Sequence, residues 1–104
     1  MHPQLRLGSD QMERKAMLTD EKIIKIAKDV ATANEIGFLD ITTAPAFDAM
    51  GAAAVKITIA IPRGSVAAMG DRTAQTVSEL IGELAGAGEE RSPIVIYEGR
   101  IVSP

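Results

Sequence analysis

Apolar and polar positions alternate most clearly near the middle of the chain. Val55, Ile57, Ile59 and Ile61 share one side, and Lys56, Thr58 and Ala60 share the other. A two-residue period of this kind belongs to a strand buried on one face. It predicts a strand over residues 52–61. An earlier run, residues 36–43, puts Leu39 and Ile41 on one face and Phe38, Asp40 and Thr42 on the other, which predicts a second strand. Between the two, Pro45 removes a ladder donor and Gly51 permits a positive φ, so residues 44–51 are expected to form the long loop of a β-hairpin. The apolar run over residues 93–97 predicts the last strand, with Glu98 and Gly99 as a turn after it.

Two segments carry the helical period instead. Thr19 is a good N-cap, and Asp20 and Glu21 follow in the first turn, where acidic groups suit the helix dipole. Ile23, Ile24, Ala27, Val30 and Ala31 then form one apolar stripe. This helix is expected over residues 20 to 34 or 35, ended by Gly37. The second helix is expected over residues 71–85, with Ala74, Val77, Leu80, Ile81 and Leu84 as its stripe and Gly86 and Gly88 beyond its end. Gly82 weakens that helix by about 1 kcal/mol relative to alanine and admits a close approach to the sheet or a partner.

The order α-β-β-α-β predicts an α+β fold, a two-layer sandwich in which two helices cover one face of a three-stranded sheet. Strand three is expected beside strand one, giving the order 3-1-2 with antiparallel neighbours. The hairpin register is expected to set Asp40 opposite Lys56, or opposite Thr58 after a two-residue shift; both keep Leu39 and Ile41 inward. The expected core joins Ile24, Ala27, Val30, Leu39, Ile41, Val55, Ile57, Ile59, Val77, Leu80, Ile81 and Leu84. The open face then carries Phe38, Asp40, Thr42, Lys56, Thr58 and Ala60.

Composition narrows the function classes. The 104 residues suit one domain, read as residues 19–104 behind a flexible extension, residues 1–18. No expected core position falls in residues 1–17, so deleting them is expected to leave the fold intact. Aromatic residues make up only 3%, so the core must be built from aliphatic side chains. A formal charge of −3 argues against bulk attraction to nucleic acid or anionic lipid. The chain has no cysteine and a single histidine, His2, which leaves no disulfide, thiolate zinc site or histidine-based triad on the framework. No apolar run approaches a membrane span, and a cytoplasmic location is expected.

Few residues carry candidate chemistry. Asp40, Asp48 and Glu98 are the carboxylates on the framework, and each has a plainer structural reading as a cross-strand pair or turn former. The loop between the second strand and the second helix contains Arg63, Gly64 and Ser65, and Arg72 follows it. A glycine-containing loop flanked by arginines can cradle an anion or an RNA phosphate, but the Gly-Lys-Ser/Thr ending of a P-loop is absent. Ser65 or Asp71 as a helix cap is the structural alternative.

Residues 47–61, F-D-A-M-G-A-A-A-V-K-I-T-I-A-I, together with the later helix and residues 90–97, E-R-S-P-I-V-I-Y, look like a family of short uncharacterised bacterial α+β proteins. The resemblance covers about residues 36–97, and Met50 stands where the pattern expects a second acidic residue. It implies the fold and brings no activity. The element order also resembles ribosome-binding factor A, a KH-like RNA-contacting fold, although the G-x-x-G loop of nucleic-acid-binding KH domains is missing. The expectation is therefore a small non-catalytic interaction protein with no cofactor and no metal. It would act through a protein partner or as a homodimer, away from membranes. The alternative is an RNA-contacting KH-like module using Arg63, Arg72 and the lysines of the first helix.

Overall fold

The computed structural model describes residues 16–102. Most of the expected extension, with His2, lies outside the described residues. Helix α1 spans Asp20–Ala33. Thr19 adopts extended backbone, and its hydroxyl accepts the Lys22 N–H at 3.2 Å, as an N-cap does. Ile23, Ala27, Val30 and Ala31 are buried and Ile24 is half-buried. Gly37 does not end this helix. Glu35 takes the left-handed conformation (φ 59°) instead, with Glu35 N–H donating to Thr32 O and Ile36 N–H to Ala31 O. This is the Schellman closure that glycine usually provides, and it turns Ile36 into the core.

Strands β1 (Asp40–Phe47), β2 (Ala53–Pro62) and β3 (Ser92–Arg100) form one sheet in the order β1-β2-β3. β1 and β2 are antiparallel, while β2 and β3 are parallel. The expected order 3-1-2 is thus wrong, and the sheet is mixed. The reason lies in burial. β2 holds Val55, Ile57, Ile59 and Ile61, each almost wholly buried, and this order puts the most apolar strand in the centre.

The hairpin register also differs from both expected versions. Asp40 pairs with Ala60 and Lys56 with Ala44. Asp40 and Lys56 share a face, so the inward and outward sets keep their parity. They stand four residues apart along β2, about 13 Å, too far for the expected ion pair. β1 begins at Asp40 rather than Ile36, so Leu39 precedes it and is 47% exposed. The strand also runs through Pro45 instead of stopping before it. The tight turn comes later: the Asp48 carboxylate accepts the Met50 and Ala52 N–H groups, each at 2.9 Å, and Gly51 takes φ 83°.

After β2, a single helical turn, α2 (Val66–Met69), precedes helix α3 (Arg72–Gly86). Neither Ser65 nor Asp71 makes a side-chain cap bond; the Ser65 hydroxyl donates to Pro62 O. The buried stripe of α3 is rotated from the expected one. Thr76, Leu80 and Leu84 are buried, Val77 is half-buried, and Ala74 and Ile81 are exposed. Thr76 can enter the core because its hydroxyl donates to Arg72 O at 2.7 Å. Gly88 (φ 104°) ends α3 in a second Schellman closure, with Glu89 N–H on Leu84 O. An added Cβ at Gly82 would meet open space, so this glycine serves no close approach inside the described residues. Glu98 and Gly99 belong to β3 and form no turn.

Both long helices lie on the side of the sheet that carries Ile41, Val55, Ile57, Ile59 and Ile61. With Ile23, Ala27, Val30, Leu80 and Leu84 these make one core cluster. The two-layer α+β architecture is therefore the observed one.

Candidate interaction surface

The outer edge of β3 is set by strand alternation. In a strand, the N–H and C=O of one residue point to one neighbour and those of the next residue to the other side. Arg63 N–H donates to Arg100 O at 2.8 Å, so Arg100, Glu98, Ile96 and Ile94 turn their main-chain groups toward β2. Val95, Tyr97 and Gly99 then turn theirs away. Among the described residues no strand pairs with that edge.

The opposite edge is built differently. Ala60 O accepts the Leu39 N–H, so the even-numbered residues of β2 face β1. The register then directs the main chain of Ile41, Thr43, Pro45 and Phe47 outward. Pro45 sits where its missing N–H costs no ladder bond, and it blunts that edge at mid-strand. In β3 the only proline is Pro93, the second residue, so three consecutive outward donors remain.

An apolar helix flank runs beside the β3 edge. The Asn34 side-chain amide donates to the Glu79 carboxylate at 2.9 Å, and Glu79, Gly82 and Glu83 line a shallow groove against Asp29, Val30 and Ala33 of α1. That side of α3 faces α1. The hydrogen bonds from Asn34 and Gln75 hold the Glu79 carboxyl below its usual pKa. The side turned away from α1, toward the outer edge of β3, carries Ala74, Val77, Ser78, Ile81 and Ala85 and no charge. Ile81 there is 41% exposed. Tyr97 ties the two layers together, donating its hydroxyl to Thr73 O at 2.9 Å. Burial pushes the Tyr97 phenol pKa up, and its contact with Thr76 opposes this.

The open sheet face holds five of the six expected residues and not Phe38. Asp40 and Thr42 are exposed on β1, Lys56 is exposed on β2, and Thr58 is half-buried between Thr42 and Ile96. Phe38 lies before β1 and packs against the core cluster instead. Ala60 is almost fully buried, flanked by Asp40 and Glu98. β3 adds Ile94 and Ile96 to this face, the latter 40% exposed.

The anion-loop residues do not converge. Arg63 and Gly64 lie exposed in the turn after β2, and Arg63 packs its Cα and side chain close to Gly99. Arg72 is taken up by the protein itself. Its guanidinium donates to Met69 O, Ala68 O and Glu35 O, and lies 3.5 Å from the Glu35 carboxylate. Lys25 pairs with Asp29, Arg91 with Glu89 and Arg100 with Glu98. Lys22, Lys28, Lys56 and Arg63 are distributed over α1, the open sheet face and the loop. Asp48 is a turn residue and Glu98 an ion-pair partner. Among the described residues no group of three metal-ligating side chains occurs, and no helix is long and apolar enough to cross a membrane.

Sequence reasoning missed the most buried polar pair. Arg91 binds Glu89 bidentately at 2.8 and 3.0 Å, and Glu89 also accepts the Leu18 and Arg91 N–H groups. Burial pushes the Glu89 carboxyl up, but these hydrogen bonds outweigh it and leave the pKa below its usual value. Nearby, Ala16 exchanges two bonds with Glu90, and Leu18 packs on the core. The N-terminal approach to α1 is thus fastened to the turn before β3. The only signal was opposite charges two residues apart ahead of a strand.

No family model matches the chain, and neither a curated protein nor a solved structure matches it.

Proposed function

We propose that the chain is a non-catalytic protein-interaction module that works through the outer edge of β3. The observation that carries this reading is the pairing of two unfinished layers on one side of the molecule. Val95, Tyr97 and Gly99 turn main-chain donors outward, and the uncharged α3 flank with Ile81 lies alongside. Strand addition supplies main-chain hydrogen bonds, and apolar contact in the helix layer supplies affinity. RNA contact is the weaker reading, because Arg72 is occupied by carbonyl groups and the remaining basic side chains form no common stripe.

Affinity capture from the native host, with and without nuclease, tests the reading. Protein partners retained after nuclease and lost with the variant Val95→Pro support it. Recovery that depends entirely on nucleic acid contradicts it.

A further inference from the structure

The β3 edge and the α3 flank together specify what covers them, and we infer that the occupant is a second copy of this chain, joined antiparallel through β3. The inference rests on the reading of that edge as the binding surface.

A lone extended peptide would satisfy Val95, Tyr97 and Gly99 but leave Ile81 and Val77 uncovered. A second copy related by a two-fold axis brings a strand and a helix flank at once, and both layers continue across the interface. The α3 flank carries no charge, so burying it against itself desolvates no ion. The stripe of α3 that the sequence points to the core, Ala74, Val77 and Ile81 included, is only partly used inside one chain. Self-association uses the rest.

Main-chain chemistry and the overlap of the two strands together select the register. Outward-facing residues must meet outward-facing residues. Centring the axis on Ile96 sets Val95 opposite the second copy's Tyr97 and Gly99 opposite its Pro93. Every outward donor, Val95, Tyr97 and Gly99, then meets a carbonyl. The one missing donor, Pro93, falls at the two ends of the ladder. On the open face Ile96 meets its own copy in a non-hydrogen-bonded pair, and Ser92 meets Arg100. Centring on Val95 sets Tyr97 opposite Pro93 and leaves Gly99 beyond the strand. Centring on Tyr97 also gives each outward donor a carbonyl but leaves Ser92 and Pro93 without a β3 partner. Ile96 is the middle residue of Ser92–Arg100, and its axis overlaps the whole strand. The result is a continuous six-stranded sheet with Pro45 blunting both outer ends.

Sedimentation equilibrium on the purified full chain tests the association. The inference expects a concentration-dependent mass of two chains, and a folded monomer for Ile81→Glu and for Val95→Pro, with far-UV circular dichroism as the check on folding. The register is tested by Ile96→Cys in this cysteine-free chain. Facing Cα atoms of a non-hydrogen-bonded pair lie about 4.5 Å apart, within disulfide range. Oxidation should link the chains through position 96, whereas Ile94→Cys should stay unlinked. A monomer at all concentrations overturns the second copy. If that monomer still captures a nuclease-resistant protein through β3, the edge reading survives; if it captures none, both fail. A dimer unaffected by Ile81→Glu and Val95→Pro overturns the choice of face, and a dimer linked through position 94 but not 96 overturns the register.

Discussion

The Tyr97 hydroxyl donates to the Thr73 carbonyl at 2.9 Å, joining β3 to the first turn of α3. This bond fixes the helix over the strand whose edge is proposed to bind. Tyr97→Phe should cost about 0.5–1.5 kcal/mol in chemical denaturation. It should also change the alkaline limb. The folded-state pKa of Tyr97 is raised, so its contribution is complete below the unfolded value of about 10 and is lost as pH rises through the folded one. The wild type should therefore lose more stability than the variant above that pH.

Glu89 and Arg91 form a nearly dry pair, with side chains 0% and 9% exposed. Glu89→Gln leaves the guanidinium without its counter-charge and should cost on the order of 3 kcal/mol at neutral pH. The folded pKa of Glu89 is depressed, so its stabilisation holds above the unfolded carboxylate value of about 4.3 and fades as pH falls through the lower folded value. Urea midpoints measured across the acid range should show this fading in the wild type and lack it in the variant.

Ile57 is fully buried at the centre of β2, whereas Leu39 precedes β1 and is 47% exposed. Ile57→Ala should cost roughly 2–5 kcal/mol. Leu39→Ala should cost less than about 1 kcal/mol. Equal losses in denaturant titrations would place the start of β1 where the alternation alone puts it, at residue 36.

Both residues also mark how far the sequence could be followed. The alternation of Val55, Ile57, Ile59 and Ile61 identifies β2 and its inward face, and the Thr19 cap with its apolar stripe identifies α1. Parity survives because any even shift preserves it; the register does not, because Pro45 signals a loop while an edge position tolerates it. Strand order was hidden because a long helical crossover can return to either side of the hairpin. The face of α3 was misread because Thr76 reads as polar until its hydroxyl is bonded within the helix. A small open sheet has two edges whatever its strand order. Which strands form them depends on that order, so β3 was not legible. Phe38 and Arg72 dropped out of the candidate surface because local packing and carbonyl acceptors claimed them.

Amide hydrogen exchange along β3, followed over a dilution series, tests the central claim most directly. The account predicts that Ile96 and Glu98, bonded to β2, exchange slowly at every concentration. Val95, Tyr97 and Gly99 should exchange rapidly in the dilute protein and become protected as concentration rises. Protection of Val95, Tyr97 and Gly99 already in the dilute monomer would mean that the chain covers this edge itself. Rapid exchange at these amides at all concentrations would mean that no second copy pairs there.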